Sequence, residues 1–207
     1  MTLPGFRAEL PHGLAALRIA LGVAILISPE LWHAPQFAAQ PEALRFAPEG
    51  LGWISKHVPI RLELAYAAQA ILIACCVLAI AGVASQLAMA GVTLSGLPVF
   101  GLSQLSGAVI HDMHLFWLST LLAVSPCGDA FSIGQRIRRR PQPSAAPSMI
   151  YGVPLQLSRM LLGIVYFFPG FWKLATSGLA WITSDNLRNQ LYWKWYQLGR
   201  EPPALRL

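Results

Sequence analysis

Lys173 and a pair of histidines are the side chains whose types and spacing could do chemistry. Lys173 interrupts an apolar and aromatic stretch over residues 165–181, VYFFPGFWKLATSGLAW, four residues after Pro169. A lysine held against aromatic walls is disfavoured in its charged form, so its pKa falls and the free amine can act as a base. The alternative is a lysine at the end of a membrane helix, whose ammonium reaches the lipid headgroups. The residues alone leave both interpretations open.

Small residues and a proline beside Lys173 favour a site on this helix. Gly163 and Gly170 lie seven residues apart, which marks a helix face that another backbone or a flat ligand can approach closely. Pro169 is expected to loosen the helix just before the lysine, because it frees backbone groups that then need other partners. The candidate ligand-binding residues are Phe168, Trp172 and Trp181 around Lys173, together with His114.

The two histidines lie in the segment VIHDMHLFW, where His111 and His114 are three residues apart and share a helix face. A metal site would need two further ligands. Cys127 lies 13 residues beyond His114, about 20 Å further along a helix, so it cannot join them there. We therefore assign no metal ligands. A haem held between histidines is kept as a third hypothesis, beside the simpler one in which water or a partner satisfies both rings.

The composition is that of a membrane protein. The 207 residues are 55% hydrophobic and 12% charged, whereas about a quarter of the residues in a soluble domain are charged. The mean hydropathy is +0.52. The net charge of +6 comes from basic residues between apolar segments, so it does not indicate nucleic-acid binding. The three cysteines lie in or beside apolar segments and form neither a disulfide framework nor a metal-binding spacing.

Apolar segments predict an all-α polytopic membrane bundle with about five spanning helices. A span needs about 20 mostly apolar residues, and a connection of 28 residues separates the first two spans. After the fifth span, Ser184 is a candidate N-cap and Gly199 a candidate stop for an amphipathic helix lying in the membrane interface. The predicted spans are 13–32, 61–81, 83–103, 108–126 and 154–174.

Charge distribution predicts the orientation. Four arginines between Arg136 and Arg140 belong to an Arg/Pro-rich linker, 133–153, which the positive-inside rule places in the cytoplasm. The N-terminus is then also cytoplasmic, in what we expect to be a bacterial inner membrane. Arg18 and Arg159 lie near the same ends of their helices, where their side chains are expected to reach the headgroups.

The segment around Lys173 resembles the fifth-helix motif of the HTTM domain, the membrane portion of vitamin K-dependent γ-carboxylases and their bacterial relatives. LRIALGVAIL is similar to the first helix of that family, and HDMHLFWLSTLLAVSPCGDAFSIG to its fourth helix and exit. The resemblance covers about 160 of the 207 residues. The residues that carry the fifth-helix motif are Tyr166, Phe167, Gly170, Lys173, Leu174, Gly178 and Trp181.

The resemblance implies a site as well as a fold. In the carboxylases the lysine of this motif is the base that starts oxygenation of the vitamin K hydroquinone, and it matches Lys173. A histidine of the fourth-helix motif also lies in that active site and matches His111. The family further implies a cytoplasmic N-terminus and a site on the periplasmic or lumenal side. The carboxylases carry a large soluble domain after further helices, whereas this sequence ends soon after its Trp/Tyr-rich segment, so γ-glutamyl carboxylation is not expected.

Two functions remain open. The chain is expected to be either an accessory or assembly subunit packed against a larger membrane protein complex, or a quinone- or isoprenoid-binding membrane protein. In the second case Lys173 is the base or polar anchor and His111 its partner, with a quinone or lipid as ligand. The accessory-subunit hypothesis requires fewer special arrangements. Both place a single HTTM-like domain, 1–207, in the lipid bilayer.

Overall fold

The structure, a computed structural model, describes residues 5–45, 59–105, 114–137 and 146–197. In the last range the side chains of 181, 182, 187 and 194–197 are left out. Within these ranges the chain forms helices and no strand, apart from one isolated antiparallel bridge. The helices are α1 Pro11–Ile27, α2 Pro29–Ala39, a 3-10 turn Glu42–Leu44, α3 Leu62–Ala81, α4 Ser85–Gln104, α5 His114–Ala123, α6 Ile133–Ile137, α7 Met149–Ser177, α8 Ala180–Thr183 and α9 Asn186–Gln197.

The all-α membrane class is confirmed. Three described helices, α3, α4 and α7, are long and apolar enough to cross a bilayer, and the bent pair α1–α2 makes a fourth if it is one span. Of the predicted fourth span, 108–126, the described part begins at His114 and gives the ten-residue apolar helix α5.

The first predicted span, 13–32, is not one continuous helix, because the helix breaks at Ser28. Ser28 has ψ 129°, an extended conformation, which a following proline favours by excluding the helical region. Pro29 then begins α2, which is bent by 43° from α1. The predicted 28-residue connection is therefore partly helical, and α2 packs against α3 and α4. The side chains of Leu31, Ala34 and Ala38 are buried there.

The predicted short connection between the second and third spans is confirmed as a tight turn. Gly82 ends α3 with φ +73°, a left-handed conformation that glycine adopts without steric cost. A Cβ atom on Gly82 would lie 2.6 Å from the Cα of Ser132, so the turn also packs closely on the segment after α5. The hairpin of α3 and α4 is thereby tied to the end of α5.

Small residues allow the helices of the bundle to approach closely. A Cβ on Gly91 of α4 would lie 2.5 Å from the sulfur of Cys75 in α3, and a Cβ on Gly96 would collide with the Phe116 ring of α5. The Phe116 ring also meets the Phe100 ring edge-on, with centroids 5.2 Å apart. The buried apolar core includes Leu14, Leu21, Ile25, Leu72, Cys76, Met89, Val92, Val99, Phe116 and Leu122.

The chain divides into two compact units, Met1–Leu161 and Leu162–Leu207. Helix α7 begins in the first unit, where a short N-terminal strap holds it. Glu9 and Ser148 exchange two backbone hydrogen bonds, of 3.2 and 2.9 Å, and Arg159 forms a 3.4 Å ion pair with Glu9. The predicted linker 133–153 thus contains α6 and the first residues of α7. In the second unit, a helix is present as α9 where the sequence predicts one, and its place in the membrane interface stays a prediction. Ser184 ends α8 rather than capping α9, and the predicted stop Gly199 lies outside the described residues.

Candidate functional sites

Lys173 lies on the exposed last part of α7, in the second compact unit. The helix runs without interruption from Met149 to Ser177, so Pro169 does not end it. The backbone carbonyl of Lys173 accepts a 3.5 Å hydrogen bond from the Thr176 hydroxyl, which also bonds to the carbonyl of Trp172 at 2.8 Å. Every residue from Tyr166 to Ala180 is exposed.

The aromatic residues predicted as walls do not enclose a pocket within the described part of this unit. Phe168 is 61% exposed and Trp172 69%. Phe167 stacks on Phe171 with ring centroids 5.7 Å apart, and its ring meets that of Phe168 edge-on at 5.8 Å. These rings form a ladder on the helix surface. Trp181 is the second residue of α8, and its side chain lies outside the described ones.

Only one of the two histidines predicted near Lys173 lies within the described residues. His111 lies outside the described residues, and His114 is the first described residue of α5, where it is half-buried. His114 belongs to the first compact unit and Lys173 to the second. The pairing stays a prediction.

Gly163 and Gly170 lie in open surroundings. A Cβ built on either residue would have no heavy atom within 4 Å, in contrast to Gly91 and Gly96 in the bundle. At these two glycines, the face that their spacing predicts for close approach is therefore open among the described residues.

Arg18 corrects an expectation from the sequence. Its side chain does not extend to the lipid headgroups, because it is fully buried inside the first unit. Its Nη1 donates to Ser85 Oγ at 3.2 Å and to the carbonyl of Cys127 at 2.7 Å. Its Nη2 donates to the carbonyl of Phe131 at 2.7 Å. Arg159, by contrast, keeps 62% of its side chain exposed, as expected for a residue near a helix end.

The hydrogen bonds of Arg18 join several segments at one end of the bundle. They connect α1 with the start of α4 and with the turn after α5, while Tyr151 near the start of α7 donates a 2.9 Å hydrogen bond to Asp129 of that turn. The predicted topology puts the starts of α1, α4 and α7 and the end of α5 on the same side of the membrane. In the structure these helix ends lie close together. Which side that is stays a prediction from the positive-inside rule.

Carbonyl groups rather than a carboxylate face the Arg18 guanidinium among the contacts described. Three of its hydrogen bonds go to main-chain oxygens within residues 127–131, and its Nε has no partner. Such bonds fix the path of a short irregular segment in which Phe131 has φ +47°. Arg18 therefore holds this turn in its conformation.

A polar cavity of about 260 Å³ lies beside this turn. Asp129 contributes its carboxylate, which accepts hydrogen bonds from Gln135 Nε2 at 3.2 Å and from the Tyr151 hydroxyl. Gln86 and Ser132 also line it, together with the exposed side chain of Leu87. Sequence reasoning missed this cavity. Its signal was the run of small and polar residues SPCGDAFS after α5, which we read only as a helix exit.

The cysteines are free, and they do not indicate metal binding. In the described ranges no three residues among histidine, cysteine, aspartate and glutamate come together as a metal site. Cys127 is buried, and its thiol contacts the carbonyl of Leu122 at 3.2 Å. Burial raises the pKa of the Cys127 thiol, so it is mostly protonated and poorly reactive at neutral pH.

No family model matches this chain, and neither a curated protein nor a solved structure shows significant similarity to it. The resemblance to the HTTM domain therefore stays a prediction from the motifs of the sequence.

Proposed function

We propose that this protein is an HTTM-type accessory subunit that packs against a larger membrane protein through the last part of α7. One observation carries the proposal. The segment from Tyr166 to Ser177 is exposed along its whole length, and within the described part of the chain no heavy atom lies near the Cβ position of Gly163 or Gly170. At a glycine, the backbone of a neighbouring helix can approach closely and gain dispersion contacts, which is a main source of helix association in lipid.

The rest of the chain supports the same function by comparison. In the bundle, Gly91 and Gly96 sit directly against side chains of neighbouring helices, so this sequence uses glycine for close helix packing where both partners are present. The open glycines of α7 offer the same kind of surface. A neighbouring helix of a larger complex is the partner that such a surface accommodates.

Purification in mild detergent tests this function. We expect a membrane protein to co-purify in a fixed molar ratio with the wild type and to be lost from the double variant Gly163→Leu/Gly170→Leu, whose side chains block the face. Gly101→Leu is the matched control, because this glycine of α4 also lies in open space but outside the face. Equal recovery of the partner with the blocked variant would contradict the proposal.

A second function, binding of a quinone or isoprenoid, is favoured by the aromatic ladder near Lys173. Flat rings such as those of Phe167 and Phe171 offer a stacking surface for a quinone head, and Lys173 would supply a base or a hydrogen-bond donor.

Mass spectrometry of lipids extracted from the same preparations separates the two functions. A quinone bound by the wild type and lost in Lys173→Met, with no protein partner present, would favour the second. An absorption band of haem near 400 nm would instead support the third hypothesis.

A further inference from the structure

The cavity beside Asp129 presents mainly acceptors to a ligand. Gln86 donates its amide N–H to the carbonyl of Ser125 at 3.1 Å, and Gln135 donates to Asp129. The Ser132 hydroxyl donates to the carbonyl of Gly82. These bonds use one N–H of each amide and the hydroxyl hydrogen of Ser132. The side chains still offer a ligand the second N–H of each amide, but most of what they offer is acceptors: two amide oxygens and the carboxylate, which has about four acceptor positions. Two contacts to Asp129 are made by protein groups. The cavity therefore suits a ligand rich in donors.

The charge of Asp129 specifies that ligand further. A carboxylate in a partly buried cavity binds a cationic donor more strongly than a neutral one. A primary ammonium can donate three hydrogen bonds at once, which matches an acceptor-rich site with a single negative charge. Its volume of about 260 Å³ is below the range typical of drug-sized ligand pockets, so the group it holds is small.

The surroundings of the cavity are those of a membrane surface. The cavity lies at the end of α3 and the start of α4, two of the candidate spans. Leu87 lines it and is 77% exposed, and Ile133 and Ile137 of α6 are 51% and 73% exposed. A polar cavity next to apolar side chains at the end of two spans fits an amphiphile, with its headgroup inside and its chains along the helices. Arg136 is exposed and follows Gln135 directly, near enough in the chain to attract a phosphate.

We propose that this cavity binds the headgroup of a zwitterionic aminophospholipid. The ammonium bonds to Asp129 and the amide oxygens, the phosphate lies towards Arg136, and the acyl chains follow Leu87 into the bilayer. This inference does not depend on the accessory-subunit function, since all the residues that carry it belong to the first compact unit.

A series of lipids tests the proposal without altering the protein. Native mass spectrometry of the detergent-purified chain would measure binding of phosphatidylethanolamine, phosphatidylcholine and phosphatidylglycerol with the same acyl chains. We expect phosphatidylethanolamine to bind about tenfold more tightly than the other two, since charge-assisted hydrogen bonds to the ammonium are lost on full methylation and absent from glycerol. Equal binding of all three lipids, or a preference for phosphatidylglycerol, would overturn the proposal.

Substitutions locate the site. Asp129→Asn is expected to remove the preference, whereas Asp185→Asn should keep it, because Asp185 pairs with Arg188 in α9 instead. Tyr151→Phe removes a hydrogen bond to Asp129 but leaves the carboxylate, so it should also keep the preference for phosphatidylethanolamine. This variant shows whether the loss in Asp129→Asn comes from the missing charge or only from a disturbed hydrogen bond between Asp129 and α7. If Asp129→Asn retained the preference, the site would lie elsewhere. Displacement of the lipid by equimolar soluble O-phosphoethanolamine would contradict a lipid ligand.

Discussion

Arg18 shows at the scale of the residue how a charge is accommodated within the apolar bundle. Its guanidinium presents N–H donors in a planar fork. The main-chain carbonyl oxygens of Cys127 and Phe131, in the turn after α5, accept hydrogen bonds from it, each with an N···O distance of 2.7 Å. Those carbonyls belong to an irregular segment between α5 and α6, so the arginine and the turn satisfy each other. Buried backbone acceptors are rarely left without a donor.

Replacing Arg18 tests this role. We expect Arg18→Met to destabilise the protein by about 3 kcal/mol or more, because each buried carbonyl left without a donor costs about 1–3 kcal/mol. Thermal unfolding in detergent, followed by tryptophan fluorescence, would measure the loss. The matched control is Arg159→Met, which removes an exposed ion pair with Glu9 and is expected to change stability by no more than about 1 kcal/mol. Equal unfolding temperatures for the two variants would contradict the buried position of Arg18.

At the scale of the elements, glycines divide the helices into faces that are packed and faces that are open. Gly91 and Gly96 of α4 allow side chains of α3 and α5 to fill the space that a Cβ would occupy. On α7, a Cβ at Gly163 or Gly170 would contact no heavy atom of the residues that the structure describes. The sequence shows glycine in both places, and only the neighbours distinguish a completed interface from an uncovered one.

A pair of substitutions in one helix checks this difference. Gly96→Ala is expected to destabilise the bundle by about 1–3 kcal/mol, since the Phe116 ring must move out of a packed position. Gly101→Ala adds the same methyl group to open space in the same helix, so it should be neutral or slightly stabilising because alanine favours helix. Unfolding temperatures of both variants would be compared with the wild type. A Gly96→Ala protein as stable as the wild type would contradict the close packing of α4 and α5.

At the scale of the whole molecule, the contacts of the first unit put the starts of α1, α4 and α7 at the same end as the ends of α3 and α5. The 3.2 and 2.9 Å backbone bonds between Glu9 and Ser148, and those from Arg18 to Cys127 and Phe131, join these positions. The start of α1 and the segment around Arg136 therefore lie at one end of the bundle. The positive-inside rule then predicts that this end is cytoplasmic.

Reporter fusions test that orientation. An alkaline phosphatase domain, which is active only outside the cytoplasm, is expected to be inactive when fused after Ile137 and active when fused after Ser184, in a bacterial inner membrane. One span, α7, separates the two positions along the chain. A fusion to green fluorescent protein at each position would serve as the control, because it fluoresces only on the cytoplasmic side. The reverse pattern would contradict the predicted orientation.

The fold class could be predicted from the sequence because it depends on local properties. Length and mean hydropathy of segments such as 61–81 and 83–103 define helices that differ from the observed α3 and α4 by no more than two residues at either end. The break at Ser28 was also visible in the sequence, since Pro29 disfavours a helical residue before it. It was missed because hydropathy continues across the proline to Trp32.

The candidate sites were less predictable. Lys173 and the glycines of α7 could be singled out because their spacing lies within one helix, but whether anything covers them depends on neighbours. The cavity beside Asp129 combines residues from α4, the turn after α5 and α6, and no local pattern links them.

The sequence by itself therefore determined an all-α membrane protein with basic residues at one set of helix ends, because hydropathy and charge act over neighbouring residues. Only the tertiary structure decided that Arg18 points into the protein. Its partners Ser85, Cys127 and Phe131 lie 67, 109 and 113 residues away along the chain. A charge in an apolar helix turns to the membrane surface or into the bundle according to where the nearest unsatisfied acceptors lie, and folding alone brings those acceptors to it.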